Sequence, residues 1–249
     1  MTRLAEYEDR FPNIRFDRRD GILQVTLHTR GDSLKWGALE NSIHDQAGEA
    51  FYRIGRDPEN KVVILTGTGD VFCTDFEPEE MPPEVNTRFW ERCIREGKDL
   101  LMNLLEIDCP VIGVANGPAT IHPELLLLSD IVLAAETAVF ADPAHFMGGL
   151  VPGDGVHIVW PMLLGPNRGR YFLLTGQQID AQEALSLGLV GEVLPKDTIL
   201  KRAWELAEQI AQKPDHVRRY ARVALTHHLK RRLFDELGYG LSLEALATQ

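Results

Sequence analysis

The groups in this chain best placed by type and spacing to do chemistry are histidines and aspartates lying between residues 116 and 155. His145 follows Phe140-Ala-Asp-Pro143, and Gly153-Asp154-Gly155 comes nine residues later. Flanking glycines let a carboxylate approach a ring closely, and an aspartate bonded to one imidazole nitrogen fixes the tautomer and leaves the other nitrogen basic. Such a base contributes about 10²–10⁴ in rate. His122 stands between the Asn116-Gly117-Pro118 turn and a proline-first helix start at Pro123-Glu124, where its ring would meet a polar substrate atom. Taken alone, His122 reads better as a capping or core histidine, and Gly-Asp-Gly reads equally well as a plain turn. His157, three residues after Asp154, opens a metal alternative, because two histidines and a carboxylate can hold Fe(II) or Zn(II). His44 and Glu244 fall on predicted helices, where each by itself reads as structural. His28, His216, His227 and His228 have no carboxylate or glycine-rich context and read as surface or core residues.

Short strands and the loops after them must hold these groups. Alternation over 13–18 and 22–28 around Arg19-Asp20-Gly21 predicts an antiparallel hairpin, followed by helical spacing over about 39–56. The continuous apolar runs 61–66 and 110–115 predict strands buried on both faces, with an amphipathic helix over about 87–106 between them. A short helix from about 123, a strand over 130–135 and a β segment at 138–140 follow. Beyond Asp154 the pattern is mostly helical, clearest over 198–212 and 214–233. No long Pro/Gly/Ser linker and no repeat of fixed period divides the chain. The basic run Arg218, Arg219, Arg222 and Lys230-Arg231-Arg232 reads as a solvated or inter-subunit helix face.

Composition closes several routes. With 37 acidic against 26 basic residues the formal charge is −11, which repels a polyphosphate backbone and argues against nucleic acid. The longest apolar stretch, from Leu125, is cut by Ser129, Asp130 and Glu136, short of the ~20 residues a bilayer span needs, and the charged start MTRLAEYEDRF carries no signal region. A cytoplasmic chain with no membrane partner is the expectation. Cys73, Cys93 and Cys109 are odd in number and lack Cys-x-x-Cys spacing, which fits packed thiols in a reducing compartment. Gly67-Thr-Gly69 begins like a dinucleotide fingerprint, but Phe72 stands where its third glycine belongs, so the segment reads as a turn. Phosphate-loop, Gly-x-Ser-x-Gly and His-Glu-x-x-His motifs are absent. The chain reads as an α/β enzyme that needs neither cofactor nor resident metal.

Asn116-Gly-Pro-Ala119, Pro123-Glu-Leu125, Ser129-Asp-Ile-Val-Leu-Ala134, Phe140-Ala-Asp-Pro143, Gly149-Leu-Val-Pro-Gly153 and Leu174-Thr-Gly176 together resemble the crotonase (enoyl-CoA hydratase/isomerase) superfamily, over roughly residues 12–249. The resemblance implies a spiral of ββα units over 1–195, a C-terminal helical region over 196–249 used in packing and trimerisation, and assembly as a homotrimer or dimer of trimers. The departures are chemical. Hydratases of this superfamily carry a Gly-Gly-Gly-Cys-Glu run that supplies a backbone oxyanion donor, whereas this chain has Ile121-His-Pro-Glu124, and proline has no N–H. Glu124 keeps the first hydratase glutamate, and Ala144 occupies the place of the second.

Those departures coincide with a subgroup similar to 6-oxocamphor hydrolase and the β-diketone hydrolases. The shared features are Ser33-Leu-Lys-Trp36, His44, the 116–124 segment with His122, His145, Val151-Pro-Gly-Asp-Gly155 and Glu244. The subgroup implies hydrolytic C–C cleavage of a cyclic or bicyclic β-diketone. Catalytic residues would be His145, Asp154, His122, His44 and Glu244, with Trp36, His122 and Phe76 binding substrate. His145 oriented by Asp154 would activate water, and His122 with the Trp36 N–H would hold the carbonyl oxygen. The rival readings are an acyl-CoA hydratase, isomerase or thioesterase using Glu124, and a catalytically silent binding protein.

Overall fold

Asp20 and Gly21 both take positive φ, +52° and +85°, the pairing a two-residue hairpin turn requires, and they join β1 (Ile14–Arg19) to β2 (Ile22–Leu27). The structure, a computed structural model, describes residues 2–248; Met1 and Gln249, the outer ends of the two expected regions, lie outside the described residues. After β2 come β3 (Leu34–Trp36) and α1 (Ile43–Gly55), then β4 (Val62–Gly67), β5 (Cys73–Phe76) and α2 (Thr87–Glu106). β6 (Val111–Ala115) and the single-turn α3 (Glu124–Leu127) follow, then β7 (Ile131–Ala135), β8 (Val139–Phe140), α4 (Val156–Leu164) and α5 (Pro166–Thr175). The chain finishes with β9 (Ile179–Asp180), α6 (Ala181–Ser186), β10 (Glu192–Leu194), α7 (Lys196–Ala211) and the 33-residue α8 (Asp215–Ala247).

The main sheet runs β1-β2-β4-β6-β7-β10 and is parallel apart from the hairpin. Its strands are apolar on both faces because both are covered. Ile22, Val62, Ile64, Ile112, Val114 and Leu133 pack against Ile199, Ala203 and Ala207 of α7. Their neighbours Leu23, Val25, Val63, Leu65 and Val111 face the larger core beneath α1, α2 and α4. A second, smaller sheet pairs β3 with β5 in parallel, crosses through bridges of Ala119 to Cys73 and Phe140, and ends in the β8–β9 pair. Each turn of the chain therefore lays one strand in the large sheet, one in the small sheet and then a helix. This is a mixed α/β spiral of ββα units with helices at its C-terminal end.

Local chemistry explains several boundaries. Asn86 caps α2 by accepting the Phe89 N–H at 3.1 Å. Asn116 takes the Gly67 N–H and donates to the carbonyls of Gly69 and Val71, so the glycine-rich segment after β4 is a clamped turn, as its missing third glycine implies. α8 extends 14 residues past Leu233, where the legible periodicity stops. Its buried stripe continues through Leu237, Gly240, Leu241 and Glu244, and the glycine and the carboxylate disguise it. The basic run on α8 divides: Arg231 and Arg232 are exposed, as expected of a solvated face, but the first half needs correcting. Arg222 is 2% exposed, with Asp130 and the carbonyls of Leu104 and Ile107 as partners, Arg218 is also buried, and Arg219 pairs with Asp108. These arginines satisfy buried helix-end carbonyls and carboxylates at the core's edge, which a periodicity reading cannot distinguish from a solvated face. No helix among the described residues is long and apolar enough to cross a membrane. The three thiols are free, and burial pushes each up to about 12.

Candidate active site

The ends of the small-sheet strands converge on a cavity of ≈ 180 Å³. Trp36 ends β3, His44 opens α1, Phe76 ends β5, His122 precedes α3, His145 follows β8, Asp154 precedes α4, and Glu244 comes from α8. All seven line this one cavity, so the structure brings together every catalytic and substrate-binding candidate named from the sequence. Phe76 stays 40% exposed, while the other six are buried or half-buried.

Backbone geometry fixes His122. The following proline disfavours the right-handed helical region, and His122 adopts φ +49°, a strained conformation for a residue with a side chain. Its carbonyl accepts the Leu125 N–H, and the preceding Ile121 N–H bonds to Cys73, which ties the strained residue to β5. The ring lies against Trp36 with centroids 3.7 Å apart and planes inclined by 32°, and His44 meets the same indole edge-on at 5.8 Å. Trp36 thus presents its ring to His122, an arrangement in which an aromatic face stabilises an imidazolium.

Asp154 sits between the two imidazoles. Its Oδ2 is 3.3 Å from His145 Nε2 and 3.6 Å from His122 Nδ1. His122 Nδ1 also bonds to Glu124 Oε1 at 2.5 Å, leaving Nε2 without a protein partner among the described residues. His145 differs from its expected pairing, since its Nδ1 is held by Asp142 at 2.7 Å and Asp154 meets the opposite nitrogen. The sequence reading missed Asp142. The only signal for it was a carboxylate three residues before the histidine, inside a motif that otherwise reads as a turn. Glu96 was missed too: it holds His44 Nδ1 at 3.0 Å from the middle of α2, where sequence gives no cue that a glutamate faces inward.

Charge follows from these contacts. Burial alone would lower the pKa of His145, but the charge of Asp154 and the hydrogen bonds that the ring donates to both aspartates push it up to about 12. Burial opposes Asp154's ionisation, yet the two imidazoliums and the Val156 amide hold its carboxyl well below the usual range. His122 is raised against its burial by the charge and hydrogen bond of Glu124. Burial raises Glu124, which is 0% exposed with Oε2 unpartnered. Burial and the charge of Asp154 push Glu244 up to about 8.

The Asp154–His157 metal pairing does not form. The donor atoms lying within 4.8 Å of one another belong to His122, Glu124 and Asp154. His157 packs toward Gly240 and Glu236 of α8 and away from that group.

The arrangement offers a carboxylate flanked by two imidazole rings, a His122 ring with Nε2 free of protein partners among the described residues, and a carboxyl at Glu244 whose pKa is raised to about 8. It can take a proton from water, hold a developing oxyanion and return a proton. Residues 17–243 match the enoyl-CoA hydratase/isomerase family. Carnitinyl-CoA dehydratase of Citrobacter koseri is 32% identical over 202 residues, 80% of this chain and 74% of that protein. Among solved structures, a β-diketone hydrolase from the cyanobacterium Anabaena sp. PCC 7120, bound to (S)-3-oxocyclohexyl acetic acid, superposes with a TM-score of 0.92 at 45% identity, covering 98% of this chain and 95% of that one. An enoyl-CoA hydratase/isomerase from Mycobacterium paratuberculosis gives a TM-score of 0.86 at 28% identity, covering 96% and 94%.

Proposed function

The chain belongs to the enoyl-CoA hydratase/isomerase family, and within it we propose that this member hydrolyses a C–C bond of a cyclic or bicyclic β-diketone by a retro-Claisen reaction. The observation that carries the proposal is Asp154 held between His145 and His122 at the base of the cavity. Thioester hydration by a glutamate pair lacks its groups here: Glu124 is buried and tied to His122, Ala144 replaces the second glutamate, and Pro123 has no N–H to offer an oxyanion. An imidazolium N–H supplies what the backbone does not, and one well-placed donor is worth about 3–4 kcal/mol.

Water is activated at the His145–Asp154 pair and attacks one carbonyl, whose oxygen takes the electron pair while His122 Nε2–H holds it. The adduct collapses with cleavage of the bond to the carbon between the carbonyls. One product end is a carboxylic acid; the other is an enolate, a tolerable leaving group because the second carbonyl delocalises its charge. Protonation of that carbon completes a keto acid. Glu244, neutral below about pH 8, and His44, held by Glu96, orient the substrate or the enolate. The ligand of the Anabaena relative is also a keto acid, the kind of product that opening one ring of a bicyclic 1,3-dione generates.

The test is a panel of cyclic and bicyclic 1,3-diketones followed by loss of ultraviolet absorbance, with Asp154→Asn as control. Turnover in the wild type and its loss in a folded variant are expected; a variant with near-normal turnover contradicts the role of the pair. The retained Glu124 and the carnitinyl-CoA dehydratase relative favour one rival, acyl-CoA chemistry. Turnover of crotonyl-CoA without diketone cleavage would establish that rival.

A further inference from the structure

The loop between β8 and α4 carries an aspartate whose contacts fit no structural task. Turn aspartates ordinarily accept nearby backbone N–H groups. Asp142 is 4% exposed, yet among the described residues its Oδ1 has His145 Nδ1 as partner and its Oδ2 is buried with none. The 2.7 Å contact is the length of a charge-assisted hydrogen bond, whereas the 3.3 Å from His145 Nε2 to Asp154 lies beyond the ordinary range. His145 Nδ1–H therefore donates to Asp142 Oδ1. Both aspartates line the cavity, but Asp154 Oδ2 faces both imidazoles, whereas Asp142 meets His145 alone.

We propose that Asp142 is the positioning residue that orients His145, and that Asp154 takes the proton from the attacking water. The assignment rests on the hydrolytic reading above and deepens it, since two carboxylates divide the work that one was expected to do. As the O–H bond of water breaks, its proton moves to Asp154 Oδ2 and its electron pair forms the new C–O bond. When the C–C bond breaks, the pair left on the enolate carbon takes that proton back from Asp154. Water is thereby added across the C–C bond and the site is regenerated. His145 remains an imidazolium throughout, held on one side by Asp142 and balancing the charge of Asp154 on the other. Asp154 is a weak base at rest, and the growing oxyanion on His122, by offsetting that imidazolium's charge, strengthens it as the reaction proceeds.

Nitrogen NMR of ¹⁵N-histidine-labelled enzyme reads the ring directly, with or without a substrate. The charged groups around His145 are Asp142, Asp154, His122, His157 and Glu244. Wild-type His145 is expected to show both nitrogens protonated well above neutral pH. In Asp142→Asn its titration should move down by about a pH unit or more, because a carboxylate beside an imidazolium raises its pKa. With an active diketone, kcat should fall about 10-fold in Asp142→Asn and about 10²-fold in Asp142→Ala, with KM within about 3-fold. An unchanged titration in folded Asp142→Asn overturns the positioning role even if no diketone is ever turned over. A wild-type kcat/KM that climbs with pH along the His145 titration overturns the role of Asp154, because it would make the neutral imidazole the base.

Discussion

Glu244 reaches the cavity from α8 as a carboxyl kept neutral at physiological pH, with a pKa pushed up to about 8 by burial and the charge of Asp154. If its O–H holds the substrate carbonyl, kcat falls as pH rises through about 8, and Glu244→Gln removes that limb from the pH profile. The same shift acts on stability. The folded chain keeps a proton that the unfolded chain releases above the ordinary value of 4.5, so stability falls as pH rises from 4.5 through about 8. Melting temperatures measured across that window should slope downward in the wild type and less steeply in Glu244→Gln; parallel slopes would mean that Glu244 ionises normally. His122→Ala should lower kcat/KM by about 10²–10³, the cost of one lost oxyanion donor, in steady-state kinetics of the folded variant. What sequence revealed at this scale depended on context. His122, His145 and Asp154 stood out because glycine and proline surround them, while Trp36, His44 and Glu244 were found through resemblance. Asp142 and Glu96 escaped because the contacts that define them, a carboxylate on Nδ1 of a histidine, exist only after folding.

The site depends on how closely α8 approaches the turn that carries Asp154. A side chain on Gly153 would run into the carbonyl of Gly240, and one on Gly240 would run into the His157 ring and the Gly153 carbonyl. Alanine at 240 would gain about 1 kcal/mol of helix propensity on an exposed helix. Here it should instead destabilise the fold by about 1–3 kcal/mol, because backbone cannot yield to it, and it should lower kcat by moving Asp154. Denaturant melts and kinetics of Gly240→Ala check this; a more stable, fully active variant would show that α8 and the turn are not in tight contact. Most elements were legible because the signals are local: the Asp20-Gly21 turn, the unbroken apolar runs of β4 and β6, and the amphipathic α2. The ββα repetition was not, because the large-sheet strands of successive turns begin at residues 22, 62, 111 and 131, and such unequal spacing leaves no fixed period. The two-residue strands β8 and β9 and the three-residue β10 are too short to carry a pattern and are held by their neighbours in the sheets.

At the scale of the molecule, two surfaces remain apolar. Phe146, Met147, Tyr171 and Leu174 are more than half exposed where the loop after β8 meets α5, and α8 displays Tyr220, Leu225, Phe234, Tyr239 and Leu246. Exposed apolar surface of this kind marks an interaction face. The expected assembly is a homotrimer or a pair of trimers, so light scattering should give three or six copies and Met147→Glu with Phe234→Glu should reduce the number. A monomeric wild type would contradict that assembly. The strong acidity of the chain and the apolar cavity agree with a small uncharged substrate, though neither property specifies a reaction. The proposed reaction rests on the group of His122, His145 and Asp154, and its most direct test uses water itself. Cleavage of a bicyclic or cyclohexane 1,3-dione in H₂¹⁸O should place one ¹⁸O atom in the carboxylate of a single keto acid product, and Asp154→Asn should abolish it. Intact diones throughout, alongside hydration of crotonyl-CoA by the same preparation, would contradict the account.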